Sequence, residues 1–508
     1  MRTPQTRFTL GTILCFCLML LQQAHAQGYG TPLTMQGLGS ATSHSAASRA
    51  MGGITFATKN DVSLMFANPA ALTSIDGLQI SLGAVQRYRQ MNQDQRYGAL
   101  QGFSAFSLLT ESMTDRLSDP DTTGKTWRSW TQADSVQRPF DTIKPDWNRA
   151  KTSSIPIEVT IAAPLTIGGT KFIVGLGAVE YANLDWYFQN NNAFSPSVLS
   201  VLNGTIATGP LATNPYLTQW YQYTQERTGS IYGYGAMVAA SVTDRLSIGL
   251  SGMLLQGSTD DTEARVGRGR MAFYAASLRL DKQGMTSSTK TGTSDFSGME
   301  LTGSAKYATK FIDFGFSVKA PTTITRKFSW SMTQDSVSVL SRLSHRVDSV
   351  TVHSSSSASG EDKIELPWRG SLGLALRIRD NITIGVEYEI KSYESASYTG
   401  ANGQTSNPWL SGSVFHIGGE FRVNDWLALR AGAGNVKETF EPASNPIRGD
   451  AVSYPVYSAG AGISFANAVL NVTYEYSDMK YVDMWSNAAS INQQVTNALS
   501  ASLSYSLP

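Results

Sequence analysis

The chain has 508 residues and only two cysteines, Cys15 and Cys17. Both lie in the first stretch of the sequence, so a form exported into an oxidising space without that stretch has no disulfide to hold it together. Long apolar runs are also missing. Beyond residue 26, nothing approaches the roughly 18 unbroken apolar residues of a membrane-spanning helix, so such a helix is excluded. Charge of one sign is lacking too: 40 Lys and Arg face 39 Asp and Glu, for a net +1. That balance removes the electrostatic reason for a nucleic-acid partner. Histidine is scarce. After residue 26 only His44, His345, His353 and His416 remain, widely spaced and without a His-Glu-x-x-His pair, so no metal site is expected. No Gly-x-Ser-x-Gly elbow occurs. The pairs Gly233/Gly235 and Gly460/Gly462 stand in strand-like patterns and complete no phosphate loop. The expectation is a protein that is not an enzyme and has no cofactor.

What is present begins with Arg2 and Arg7, an apolar run from Phe8 to Leu21, and Ala24-His25-Ala26. A basic start, a short apolar stretch and a small-x-small site make a secretory signal. Cleavage is expected after Ala26, leaving 1–26 as signal peptide. Leu14 and Phe16, just before the two cysteines, are large where a lipid-anchoring signal needs a small residue.

From about Leu78 onward, apolar and polar residues alternate for roughly eight to twelve positions at a time, then stop. In 382–391, Ile382, Ile384, Val386, Tyr388 and Ile390 oppose Thr383, Gly385, Glu387, Glu389 and Lys391. The segments 312–319, 470–477 and 499–507 repeat the pattern. Period two means β-strand, because successive side chains leave opposite faces of the pleat. A wet-faced sandwich alternates equally well; the connections separate the two. Tight breaks fall near 165–169, 243–245, 321–322, 380–381, 424–425 and 466–468. Long polar stretches cover about 90–153, 189–228, 258–298, 333–362, 394–412, 437–452 and 480–495. Short and long connections alternate strictly, as in a transmembrane barrel.

Six tight turns and seven long loops give thirteen connections, hence fourteen strands. Met271–Leu280 reads partly as strand, which leaves twelve or sixteen open. The expected fold is all-β: a transmembrane antiparallel β-barrel of about fourteen strands over 78–508. Trp186, Tyr187, Trp330, Trp368, Trp426 and Tyr481, near strand ends, fit interfacial girdles. The Ser-rich stretch Ser336–Ser359 reads as a solvated loop. The segment 27–77 is small-residue-rich, lacks alternation and is too short to bury its own core. It is expected inside the lumen as a hatch, or plug. Arg369, Arg377 and Arg379 alternate toward the same side as Glu387 and Glu389, which suggests one lumen charge network supporting that plug.

Arg49–Ile75, with Phe66-Ala67-Asn68-Pro69-Ala70-Ala71-Leu72 at its centre, resembles the N-terminal hatch of the FadL/TodX family. Those are outer-membrane transporters for long-chain fatty acids and other hydrophobic compounds such as aromatic hydrocarbons. Leu366-Pro367-Trp368, His416–Arg422 and Leu429–Gly432 are similar to later pieces of the family. The resemblance implies a fourteen-stranded barrel with an internal hatch, in which Phe66, Asn68, Pro69 and Ala70 belong to the moving element. It further implies a bacterial outer-membrane location and passive transport. Partners would be outer-membrane lipid, a hydrophobic small-molecule ligand, and the barrel-assembly machinery during biogenesis. Two features depart from the family: Ala67 replaces an aromatic, and the chain ends Ser506-Leu507-Pro508. PorV-like relatives of type IX secretion share the hatch signature, so a barrel that binds secreted proteins is the alternative.

Overall fold

In the computed structural model the strands form one closed antiparallel barrel of fourteen passes. The structure describes residues 38, 45–58, 60–97, 146–195, 216–273, 278–281, 284–341, 348–407, 409–440, 452–485 and 488–507. The expected signal, 1–26, lies outside them. Among the described residues no helix is long and apolar enough to cross a membrane.

The passes are β1 (Leu78–Tyr97), β2 (Trp147–Thr152 and Ile157–Ile167), β3 (Thr170–Asn183 and Trp186–Ser195) and β4 (Tyr216–Ser241). Next come β5 (Leu246–Phe273), β6 (Thr286–Ala308), β7 (Ile312–Lys319 and Thr322–Ser341) and β8 (Asp348–Leu366 and Arg369–Arg379). Then follow β9 (Ile382–Lys391), β10 (Gly412–Arg422), β11 (Leu427–Lys437), β12 (Ser453–Phe465), β13 (Ala468–Trp485) and β14 (Ala488–Leu507). Leu78 opposite Leu507 and Tyr97 opposite Ala488 close the cylinder. Closure satisfies strand N–H and C=O groups that hydrocarbon cannot. The alternation then has its cause: Phe314, Phe316 and Leu372 are exposed outward, while Asp313, Ser317 and Ala375 are buried inward.

Several expectations need correction. The chain does not turn at 321–322; it reverses at 309–311, where the Thr309 N–H donates to the Ile312 carbonyl at 2.8 Å. Pro321 and Pro367 instead sit side by side within β7 and β8, between the rungs Lys319–Arg369 and Thr322–Leu366. A proline removes a rung because it has no N–H, and the strand runs on. Leu366-Pro367-Trp368 therefore lies at the junction of the two segments of β8, directly before Arg369–Arg379. Much of the expected loops 258–298 and 333–362 is strand as well. Ser354 stands opposite Gln334 and Ser357 opposite Ser331, so the serine run is solvated strand. Met271–Leu280 adds no pass: Arg270–Phe273 pairs back with Leu278–Asp281 at the tip of β5.

Of the expected girdle, Trp368 and Trp426 are exposed outward. Tyr187 and Tyr481 are buried: Tyr187 packs edge-on against Trp147 at 5.6 Å, and Tyr481 against Phe440 at 5.3 Å. Tyr481 belongs to a cluster at the end away from the tight turns, with Phe188, Tyr221 and Tyr223, against which Trp186 packs.

Candidate functional site

The described residues from Ser45 to the start of β1 lie inside the barrel and touch all fourteen strands. Helix α1 (Ala46–Ala50), started by the Ser45 hydroxyl accepting from the Ser48 N–H at 3.0 Å, packs on β11 to β14. A 3-10 turn, Val62–Leu64, meets β1 and β2. A second, Pro69–Ser74, meets β3 to β6. The remaining four strands receive Met51–Ala57 through glycines. A Cβ at Gly418 would sit 2.4 Å from the Met51 carbonyl oxygen, and one at Gly385 would sit 3.0 Å from the Ala57 Cβ. The Phe56 ring is clamped between Gly315 and Gly373, where added Cβ atoms would lie 2.2 and 2.1 Å from it. Glycine on alternate strand positions thus marks where the wall admits the plug. Neither Phe56 nor its glycine clamp was singled out from sequence; inward glycines on the neighbouring strands were the available signal.

Polar contacts add to this packing. The Thr55 N–H and hydroxyl both donate to the Glu387 carboxylate, the former at 2.6 Å. His416 Nδ1 bonds the Gly52 carbonyl. Arg49 reaches Glu475 of β13 at 3.2 Å.

The four expected hatch residues lie together in the lumen. Phe66 is buried beside Gly177 of β3. Pro69 opens the second 3-10 turn, and the Ala70 N–H donates to the Ser304 hydroxyl at 2.9 Å. Asn68 is fully buried, and neither atom of its side-chain amide has a hydrogen-bond partner. Each unmet buried polar group costs about 1–3 kcal/mol. The plug is therefore held in place with an unmet polar group at its centre. Asn68→Leu, close in volume, is expected to raise the thermal melting temperature of the purified barrel. A variant that melts below wild type would show that Asn68 is satisfied.

The five expected network residues all lie in β8 and β9 but do not form one network. Register explains the separation: Ser371 and Gly373 stand opposite Glu389 and Glu387. Arg369 bonds Glu300 at 2.6 Å and Tyr181 at 3.2 Å, and Lys319 reaches the other Glu300 oxygen at 3.0 Å. Arg377 pairs with Asp313, which also faces Lys306 at 3.4 Å. Glu389 meets Lys391 at 4.0 Å. Arg379, beyond a register shift after Arg377, is exposed. Of the five, Glu387 alone holds the plug by a direct hydrogen bond among the described residues.

A lumen cavity of about 320 Å³ adjoins the plug. One part of its lining is charged, with Arg49, Arg87, Arg89, Lys151, Glu180 and Glu475; another is aromatic, with Tyr181, Trp186, Tyr187 and Phe440. The lining is therefore amphipathic. The cavity reaches the wall where β2 and β3 part. Gly175 and Gly177 remain paired on both sides, and the β2–β3 ladder stops one residue later, at Val159–Ala178. Beyond it the Glu180 N–H donates to a Glu158 carboxylate oxygen at 3.3 Å, and residues 179–185 are buried. This stretch of β3 is withdrawn from the lipid-facing surface.

No family model matches this sequence. No curated protein matches it. Solved structures do. A Pseudomonas aeruginosa FadL homologue is similar at 13% identity and TM-score 0.57, over 92% of this chain and 98% of that one. The Ralstonia pickettii toluene transporter TbuX is similar at 13% identity and TM-score 0.50, over 92% of this chain and 100% of that one. The P. putida toluene transporter TodX is similar at 13% identity and TM-score 0.51, over 92% and 99%. At such identity the likeness speaks to architecture, and in architecture this chain is a FadL/TodX-like fourteen-stranded β-barrel.

Proposed function

We propose that this chain is a bacterial outer-membrane channel for hydrophobic compounds, gated by its N-terminal hatch and driven by diffusion alone. One observation carries the reading: the described residues before β1 touch every strand from inside the barrel, next to a cavity lined in part by β3 where β2–β3 pairing ends. A plug held by small contacts can shift without opening the barrel. The unpaired wall offers an apolar solute a way out that avoids the water beyond the bilayer. Phe66, Asn68, Pro69 and Ala70 would move in this step, since they lie in the lumen against β3 and β6. That TbuX and TodX, toluene transporters, share the fold supports a hydrophobic solute.

The test is uptake of labelled toluene and oleate by cells expressing the chain, against vector-only cells, with the protein followed into the outer-membrane fraction. Faster uptake of either compound is expected. Uptake equal to vector from properly inserted protein would defeat the proposal. A second reading, a barrel that binds secreted proteins, draws on β8. Between Asp348 and Asp362 its edge away from β7 meets no strand among the described residues, and such an edge can accept an added strand. Co-purification of exported proteins without any uptake would favour it.

A further inference from the structure

The wall carries a second concavity, on its outer face. A groove of about 450 Å³ crosses β5 to β10 on the surface turned toward lipid. Two rows of outward side chains border it. Phe316, Leu372, Tyr388 and Phe415 stand side by side on β7 to β10. Leu246, Tyr307, Phe314 and Leu374 stand side by side on β5 to β8, two residues nearer the tight turns. The row between them points inward and shows this side only backbone at Gly315 and Gly373, which face each other across β7 and β8. Phe56 of the plug fills the lumen side of the same two glycines. Glycine backbone alone therefore separates the groove from the plug.

Its depth in the bilayer follows from strand geometry. Phe314 and Phe316 lie two and four residues beyond Ile312, where β7 begins. At about 3.3 Å per residue and a tilt of about 40°, the two rows stand roughly 5 and 10 Å above that point. The apolar band of such a barrel is about 25 Å tall, so the groove occupies the half next to the tight turns, which face the periplasm. Its β5–β6 end meets two of those turns. Arg245 directly precedes Leu246, and its carbonyl accepts from the Ala308 N–H at 2.8 Å; Lys310 lies three residues beyond Tyr307. Both cations are exposed, and among the described residues neither forms an ion pair. Asp244 is the one acid in these two turns, 243–245 and 309–311, which leaves them one net positive charge.

We propose that the groove holds an acyl chain of an anionic phospholipid from the inner leaflet, with its phosphate at Arg245 and Lys310. A chain lying between the two rows is touched on three sides, whereas the convex wall elsewhere touches a chain on one, and dispersion contacts add up accordingly. Cations at the membrane surface favour an anionic headgroup over a zwitterionic one. The glycolipid of the outer leaflet has its chains in the other half of the bilayer. The inference needs only the membrane-spanning barrel: uptake of a solute can fail while the lipid stays bound, and the reverse.

Native mass spectrometry tests it, on full-length processed protein that has been delipidated and offered equal dioleoyl phosphatidylglycerol and dioleoyl phosphatidylethanolamine. One phosphatidylglycerol per chain is expected to be retained, with about a fivefold preference over phosphatidylethanolamine. Ala305→Trp fills the groove from β6 and Leu374→Trp fills it from β8; each is expected to abolish retention. Ala501→Trp, on the exposed face of β14, keeps it. Arg245→Gln/Lys310→Gln retains a lipid but loses the preference. Equal retention of the two lipids by the wild type overturns the proposal, as does unchanged retention in both groove-filling variants. A dimer that Ala305→Trp dissociates also overturns it, and gives the groove to a second copy of the chain.

Discussion

Joining the plug to the wall with a disulfide, in the Ala57→Cys/Gly385→Cys variant, is expected to reduce uptake to the vector background, and dithiothreitol is expected to restore it. The geometry permits the bond. A Cβ at position 385 would lie 3.0 Å from the Ala57 Cβ, and disulfides span about 3.8 Å between Cβ atoms, so the bond needs the two to move apart by about 0.8 Å. The chain offers no competing thiol beyond Cys15 and Cys17, inside the expected signal. Gly385 is a rigid anchor, paired on both sides with Ala375 and Gly418. Whatever the plug does during transport, residues 54–58 must then stay in place. Wild-type uptake by the fully oxidised variant would mean that a solute passes without moving this part of the plug.

Gly373→Val should have the opposite effect, raising conductance in planar bilayers from a near-closed baseline to a sustained open level. Phe56 occupies the space on the lumen side of Gly373 and of its cross-strand neighbour Gly315, 2.1 and 2.2 Å from where Cβ atoms would stand. Overpacking usually costs about 1–3 kcal/mol when neighbours can yield. Here the wall is held by hydrogen bonds to β7 and β9, so the ring must leave. Displacing it takes with it the Thr55–Glu387 contact next door. The double variant Gly373→Val/Phe56→Ala restores the space and should return conductance toward baseline. If Gly373→Val keeps the wild-type conductance and melting temperature, the clamp does not hold the plug.

Much of this was legible in the residues. Alternation in 312–319, 382–391 and 499–507 marked strands because lipid and lumen impose opposite chemistry on neighbouring side chains. The pass count survived although one turn was misplaced by about ten residues, because a proline in a strand and a proline in a turn look alike locally. The serine-rich stretch was read as loop for a related reason. Val350 to Ser359 are exposed on both faces, and a strand wet on both sides loses the period that reveals it. Among the candidate site residues, Phe66, Asn68, Pro69 and Ala70 were named from resemblance, and all four lie in the lumen. The charge cluster was not resolved, since Arg369 chooses Glu300, sixty-nine positions away, over the nearer Glu387 and Glu389.

The sequence by itself determined that most of the chain is strand with one greasy face, that the passes number fourteen, and that residues 27–77 lack the pattern to join the wall. Those are local properties, written in side-chain period and connection length. Only the tertiary structure decided which glycines clamp Phe56, which carboxylate holds Thr55, and where β2 and β3 part. Each depends on strand register, and register is set by hydrogen bonds between segments far apart in the chain.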